Sequence, residues 1–179
     1  MRFIVYLIAY PVLWSISMLP FRMLYFFSDC VYLIVYHLIG YRKKTVRENL
    51  AMALPHLSAE ERLIIEKKSF RHFCDMFLEM IKTMTISNKE INKRFVFTNM
   101  EVYKNLEAQE KSISMMLAHY ASYEWVISMN AYVNFSAFAI YKKLANPYFD
   151  KLVRDIRSRF KANLITTKET VPIIIKNNR

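Results

Sequence analysis

The stretch Ser112-Ile113-Ser114-Met115-Met116-Leu117-Ala118-His119-Tyr120-Ala121-Ser122-Tyr123-Glu124-Trp125 decides how the chain is read. Ser112 to Leu117 is an apolar run of strand length. His119 follows directly behind it, and Glu124 stands five residues further on, early in a helical pattern over Tyr120 to Tyr132. A strand that enters a short loop and then a helix is the repeating unit of α/β folds, and ligands gather at the carboxyl ends of such strands. Residues five apart do not share a helix face, so His119 is expected in the loop, with Glu124 reaching back from the first turns of the helix. In that arrangement a neutral imidazole can deprotonate an alcohol nucleophile, while the carboxylate fixes its tautomer and stabilises the imidazolium. Taken by itself the spacing is weak evidence: a hydrogen-bonded core histidine is the commoner reason for such a pair, and both readings stay open.

Downstream, further β-like runs at Phe135 to Tyr141 and Asn163 to Thr166 alternate with helical patterns at Pro147 to Phe160 and Glu169 to Asn177. Asn146 is the expected cap of the first of these helices, with Pro147 in its opening turn. Upstream, Phe95 to Phe97 reads as a short strand and Met100 to Gln109 as a helix. Thr45 to Leu54 is a short helix stopped by Pro55, and Ser58 with Glu61 forms a capping box for a long helix. Its apolar stripe is Phe70, Phe73, Phe77, Met80, Ile81 and Met84, and Glu66, Lys67 and Lys68 are expected on other faces.

The N-terminus has a different composition. Phe3 to Phe21 contains no charged residue over 19 positions. As one helix this stretch reaches roughly 28 Å, enough to cross a bilayer. Met23 to Tyr41 is equally long but carries Asp29, His37 and several tyrosines, which suits a membrane interface or a half-buried helix. The cluster Arg42-Lys43-Lys44 with Arg47 then places the remainder of the chain on the cytoplasmic side. Arg2 ahead of an apolar run also fits a signal peptide, but no small-residue cleavage pattern comes after it. The organisation read is a membrane-associated helical segment over 1–41, a helical region over 42–92 and an α/β part over 93–179.

The net charge of +11 calls for an anionic partner. From Tyr141 to Arg179 there are ten Lys or Arg against three Asp or Glu, so the excess is concentrated there. No recognition motif for nucleic acid accompanies it. The single glycine, Gly40, excludes glycine-rich phosphate loops. Cys30 and Cys74 lie far apart, so neither a disulfide framework nor a zinc site is expected, and no metal or cofactor is implied.

Three blocks resemble one family. Tyr41-Arg42-Lys43-Lys44-Thr45-Val46-Arg47-Glu48-Asn49-Leu50, followed by Ala53 to Ser58, is similar to the segment after the membrane helix in the lipid A late acyltransferases, the lauroyl and myristoyl transferases. Ala118 to Trp125 resembles their His-x-x-x-x-Glu or Asp block, and Asn146-Pro147-Tyr148-Phe149-Asp150 through Arg157 resembles the second. The likeness runs from about Phe21 onward and implies a glycerolipid-acyltransferase-like αβα domain behind an N-terminal membrane helix or helical hairpin. It implies a donor that is acyl carrier protein or acyl-CoA, an acceptor hydroxyl on a lipid A precursor, and residence at the bacterial inner membrane with the catalytic part facing the cytoplasm. His119 is then the base, Glu124 its partner and Arg157 the arginine of the second block, with Arg154, Arg159 and Tyr141 assigned to substrate binding. A lysophospholipid or other membrane-lipid acyltransferase, or an inactive membrane-attached fragment, is the alternative. Relatives are longer and carry an Asp-Gln block that has no counterpart before Arg179, and many have glycine where Lys161 stands, so a truncated chain is expected.

Overall fold

Proline punctuation sets the N-terminal architecture. In the computed structural model, which describes residues 2–177 (side chains from residue 3), helix α1 runs over Arg2–Met18 and stops short of Pro20. Pro20 is the N-cap of α2, Phe21–Leu33, and the chain continues as a π-helical segment over Ile34–Ile39. Phe3 to Phe21 is therefore not one helix, because a proline both lacks the N–H that would continue the ladder and disfavours helical geometry in the residue before it. Among the described residues, the continuous Phe21–Ile39 helix, 19 residues long, is the one long and apolar enough to cross a membrane by length and composition. It ends at Gly40, whose φ of 65° and N–H bond to the Val35 carbonyl make the left-handed stop that glycine favours.

Helix α3 spans Lys43–Ala53 and α4 spans Ala59–Lys82. The expected capping box is present: the Glu61 N–H donates to Ser58 Oγ, and the Ser58 N–H donates to the Glu61 carboxylate at 2.8 Å. Helix α4 is the spine of the protein, contacting α1, α2 and α3. Its buried stripe Glu66, Phe70, Cys74, Leu78 and Lys82 advances by four, so Glu66 and Lys82 lie on the packed face. This corrects the expectation that Glu66 points elsewhere. Its carboxylate accepts from Tyr36 Oη at 2.9 Å and from Arg47 Nε at 2.8 Å, while Lys82 Nζ donates to the carbonyls of Ser17 and Leu19 at the end of α1.

After a short α5, Asn88–Arg94, capped by Ser87, comes α6, Met100–Ala108. A 3-10 helix follows over Tyr123–Ala131, then β1, Phe138–Tyr141, α7, Pro147–Ser158, β2, Asn163–Thr166, and α8, Thr170–Asn177. Strands β1 and β2 pair in parallel, Phe138 opposite Asn163 and Tyr141 opposite Thr166, with α7 as the crossover. The Asn146 side chain caps α7 by accepting from the Tyr148 N–H at 3.0 Å. The main core gathers Phe21 and Leu24 from α2, Leu78 from α4, Ile91, Trp125, Ile127 and Phe160. A second cluster joins Tyr32, Tyr36, Phe70 and Cys74 between α2 and α4.

The fold is thus mostly helical, with two strands where four were expected. Among the described residues, neither Phe95 to Phe97 nor Ser112 to Leu117 pairs as a strand. A strand needs a neighbour for its N–H and C=O groups. Phe95 instead packs against the core, and Met116 is 90% exposed. The helical pattern expected from Tyr120 begins at Tyr123 and is tighter, of the 3-10 kind. The chain's end at Arg179, on which the expectation of truncation turned, lies outside the described residues.

Candidate active site

The loop that carries His119 approaches the core near the end of α4. His119 is exposed, and its ring lies against the Tyr123 ring with centroids 4.3 Å apart. Ala121 adopts φ 49°, a left-handed geometry that reverses the chain between His119 and the 3-10 helix. Ser122 Oγ then donates to Glu79 Oε2 at 2.5 Å, and Trp125 Nε1 donates to Thr83 Oγ1 at 3.0 Å, fastening the loop and the helix behind it to α4.

Glu124 stands at the first turn of the 3-10 helix but does not bond to His119. Its carboxylate takes a two-pronged grip from α7: Arg157 Nε donates to Oε2 at 2.9 Å and Nη2 to Oε1 at 2.5 Å. The side chains are 10% and 24% exposed, so this is a largely desolvated, charge-assisted pair. The carboxylate holds the Arg157 guanidinium firmly protonated, against the opposing effect of burial. Burial, together with the Glu124 charge, pushes the neighbouring Tyr123 hydroxyl up. The imidazole is thus exposed against the Tyr123 ring, while the Glu124–Arg157 pair next along the chain is largely buried.

The other expected site residues divide. Arg154 and Tyr141 line a cavity of about 160 Å³, together with Lys143, Thr166 and Glu169, at the carboxyl ends of β1 and β2. Tyr141 is buried and its hydroxyl donates to Asp150 Oδ2 at 3.3 Å, an interaction that, after burial itself, raises its pKa. Arg159 is removed from this cavity: Nη1 donates to the Thr83 carbonyl at 2.6 Å, and burial lowers its pKa. It closes the end of α4. Among the described residues no group of three or more His, Cys, Asp or Glu is gathered to hold a metal ion.

Sequence reasoning missed Glu79, 8% exposed and bonded to both Tyr25 Oη and Ser122 Oγ. Its only local signal is an acidic residue directly behind Leu78 on the packed side of α4.

A family model for bacterial lipid A biosynthesis acyltransferases matches residues 1–179. No curated protein matches the chain.

Proposed function

The chain belongs to the bacterial lipid A biosynthesis acyltransferase family, and from that premise we propose that it moves a fatty acyl chain from an acyl carrier protein or CoA thioester to a hydroxyl of a lipid A precursor, with His119 as base. The observation that carries the assignment is an exposed imidazole lying against Tyr123, the residue preceding a carboxylate fixed by a two-pronged arginine. The acceptor hydroxyl gives its proton to His119 as its oxygen attacks the thioester carbonyl. The C–S bond breaks and the proton passes from His119 to the departing thiolate, so the products are an ester and a free carrier thiol. Glu124 supplies the nearby negative charge that favours the imidazolium in the complex with substrate; such contacts are often long before substrate binds. Arg157 holds that carboxylate in place and retains N–H donors for an oxyanion or a phosphate.

The membrane reading rests on α1 and α2. Ile8, Val12 and Trp14 of α1 and Phe26, Leu33 and Leu38 of the second helix are exposed, an apolar surface too large for a water-facing role. The opposite side of α2 is tied to α4 through Tyr25–Glu79 and Asp29–Arg71 at 3.0 Å, and the π-helical segment that continues it through Tyr36–Glu66. Exposed Lys67 and Lys68 on α4, with Arg42 and Lys44, support a reading in which the tied pair lies along the membrane boundary with these cations toward anionic headgroups.

The test is acyl transfer by the full chain in vesicles, with product identified by mass. A new ester on a lipid A precursor from either thioester is expected. Ester formation on a lysophospholipid but not on the lipid A precursor would replace the acceptor assigned here.

A further inference from the structure

We propose that Glu79 is a positioning residue for the His119 loop, an assignment that rests on the acyl-transfer reading above. Between His119 and Glu124 the chain has little else to hold it. Tyr120 is 83% exposed, and Ala121 has no functional group and sits in left-handed geometry. Among the described residues, the bond from Ser122 Oγ to Glu79 Oε2 is the side-chain hydrogen bond that ties this stretch to another element. A reversed turn with a non-glycine residue at positive φ is strained, and such a conformation persists only where its surroundings impose it.

Glu79 is built to impose it. Its carboxylate is buried on α4, its second oxygen accepts from Tyr25 Oη at 2.7 Å, and Tyr25 belongs to α2, so the group is held from the opposite side and does not swing away from Ser122. One turn on, Thr83 accepts from Trp125 Nε1 and, through its carbonyl, from Arg159. The end of α4 thus fixes the loop before Glu124 through Glu79 and the helix after it through Thr83. Since the Glu124 carboxylate is already held by Arg157, the position of the imidazole relative to it is set by the Ser122–Glu79 link. The same link connects the apolar-faced helix α2 to the reacting loop through a single carboxylate.

The experiment compares Ser122→Ala, Glu79→Ala and Glu79→Gln in the acyl-transfer assay, with thermal melts of each. Misplacing a reacting group by a fraction of an ångström to an ångström costs rate rather than binding, so kcat is expected to fall about tenfold in Ser122→Ala and Glu79→Ala, with KM within about twofold. Glu79→Gln is expected within about threefold of wild type, because the amide keeps an acceptor and its NH2 can donate to a hydroxyl. Wild-type kcat in Ser122→Ala would overturn the assignment, and this variant decides the matter if Glu79→Ala does not fold. A second readout does not need turnover. The His119 ring resonances, shifted by the Tyr123 ring, are expected to move toward their unstructured values in Ser122→Ala, and unmoved resonances would overturn the assignment. Failure of the acyl-transfer reading looks different: wild type forms no ester, or His119→Ala forms it at the wild-type rate.

Discussion

Glu124→Gln keeps the shape of the side chain and one acceptor oxygen while removing the charge that Arg157 grips from two directions. The cost depends on how little solvent reaches the pair. An exposed ion pair is worth up to about 1 kcal/mol, whereas removing one partner of a fully buried pair costs about 3–5 kcal/mol. With side chains 10% and 24% exposed, the pair lies between these limits. Because the amide still accepts one bond, a loss of about 2 kcal/mol is expected. For a chain of this size that is a fall of roughly 4–8 °C in Tm. Thermal melts of wild type, Glu124→Gln, Arg157→Met and the double variant close a cycle, and the coupling between the two sites is expected to be about 2 kcal/mol. A coupling below about 0.5 kcal/mol would show that the pair behaves as a screened surface contact, and would refute the inference that Arg157 holds Glu124 in place.

Burial raises the Glu66 pKa, but hydrogen bonds from Arg47 and Tyr36 outweigh it and hold the carboxylate below the usual range. A depressed folded-state pKa gives stability that is fully present above the unfolded value of about 4.3 and is lost as pH falls through the folded one. Melts from pH 6 down to about pH 3 are expected to show a steeper acid loss in wild type than in Glu66→Gln, and parallel curves would contradict it. Lys161 has φ 63°. Lys161→Gly is expected to raise stability by up to about 1 kcal/mol in denaturant titration, and a destabilisation of that size would contradict it. Leu38 and Phe26 are 80% and 72% exposed on the apolar side of the second helix. Replacing either with Asp forfeits about 1.5–3 kcal/mol of burial, so binding to anionic vesicles is expected to weaken by tenfold or more in sedimentation. Unchanged binding would exclude that surface from the membrane.

Local chemistry was legible in the sequence, and long-range pairing was not. Ser58 with Glu61, and Asn146 with Pro147, carry their own helix starts within a few residues, and both formed. The runs that became β1 and β2 are separated by a helix of crossover length, the pattern of a parallel pair. Ser112 to Leu117 has the same local character but no neighbour among the described strands, and pairing is not a property of the run itself. The same limit hid the acidic residues of α4. Glu66 and Glu79 are tolerated on the packed face because Tyr36, Arg47, Tyr25 and Ser122 arrive from elsewhere in the chain. At the site, spacing alone left His119 and Glu124 open and the family resemblance singled them out, but neither showed that Glu124 is gripped by Arg157 from α7 across the fold.

The measurement that bears most directly on the proposed chemistry is the rate of ester formation on a lipid A precursor by His119→Ala against wild type, under saturating acyl thioester. Loss of a general base lowers kcat by about 10²–10⁴-fold, and a fall in that range with the fold intact is expected. Transfer at the wild-type rate would contradict the role given to this imidazole.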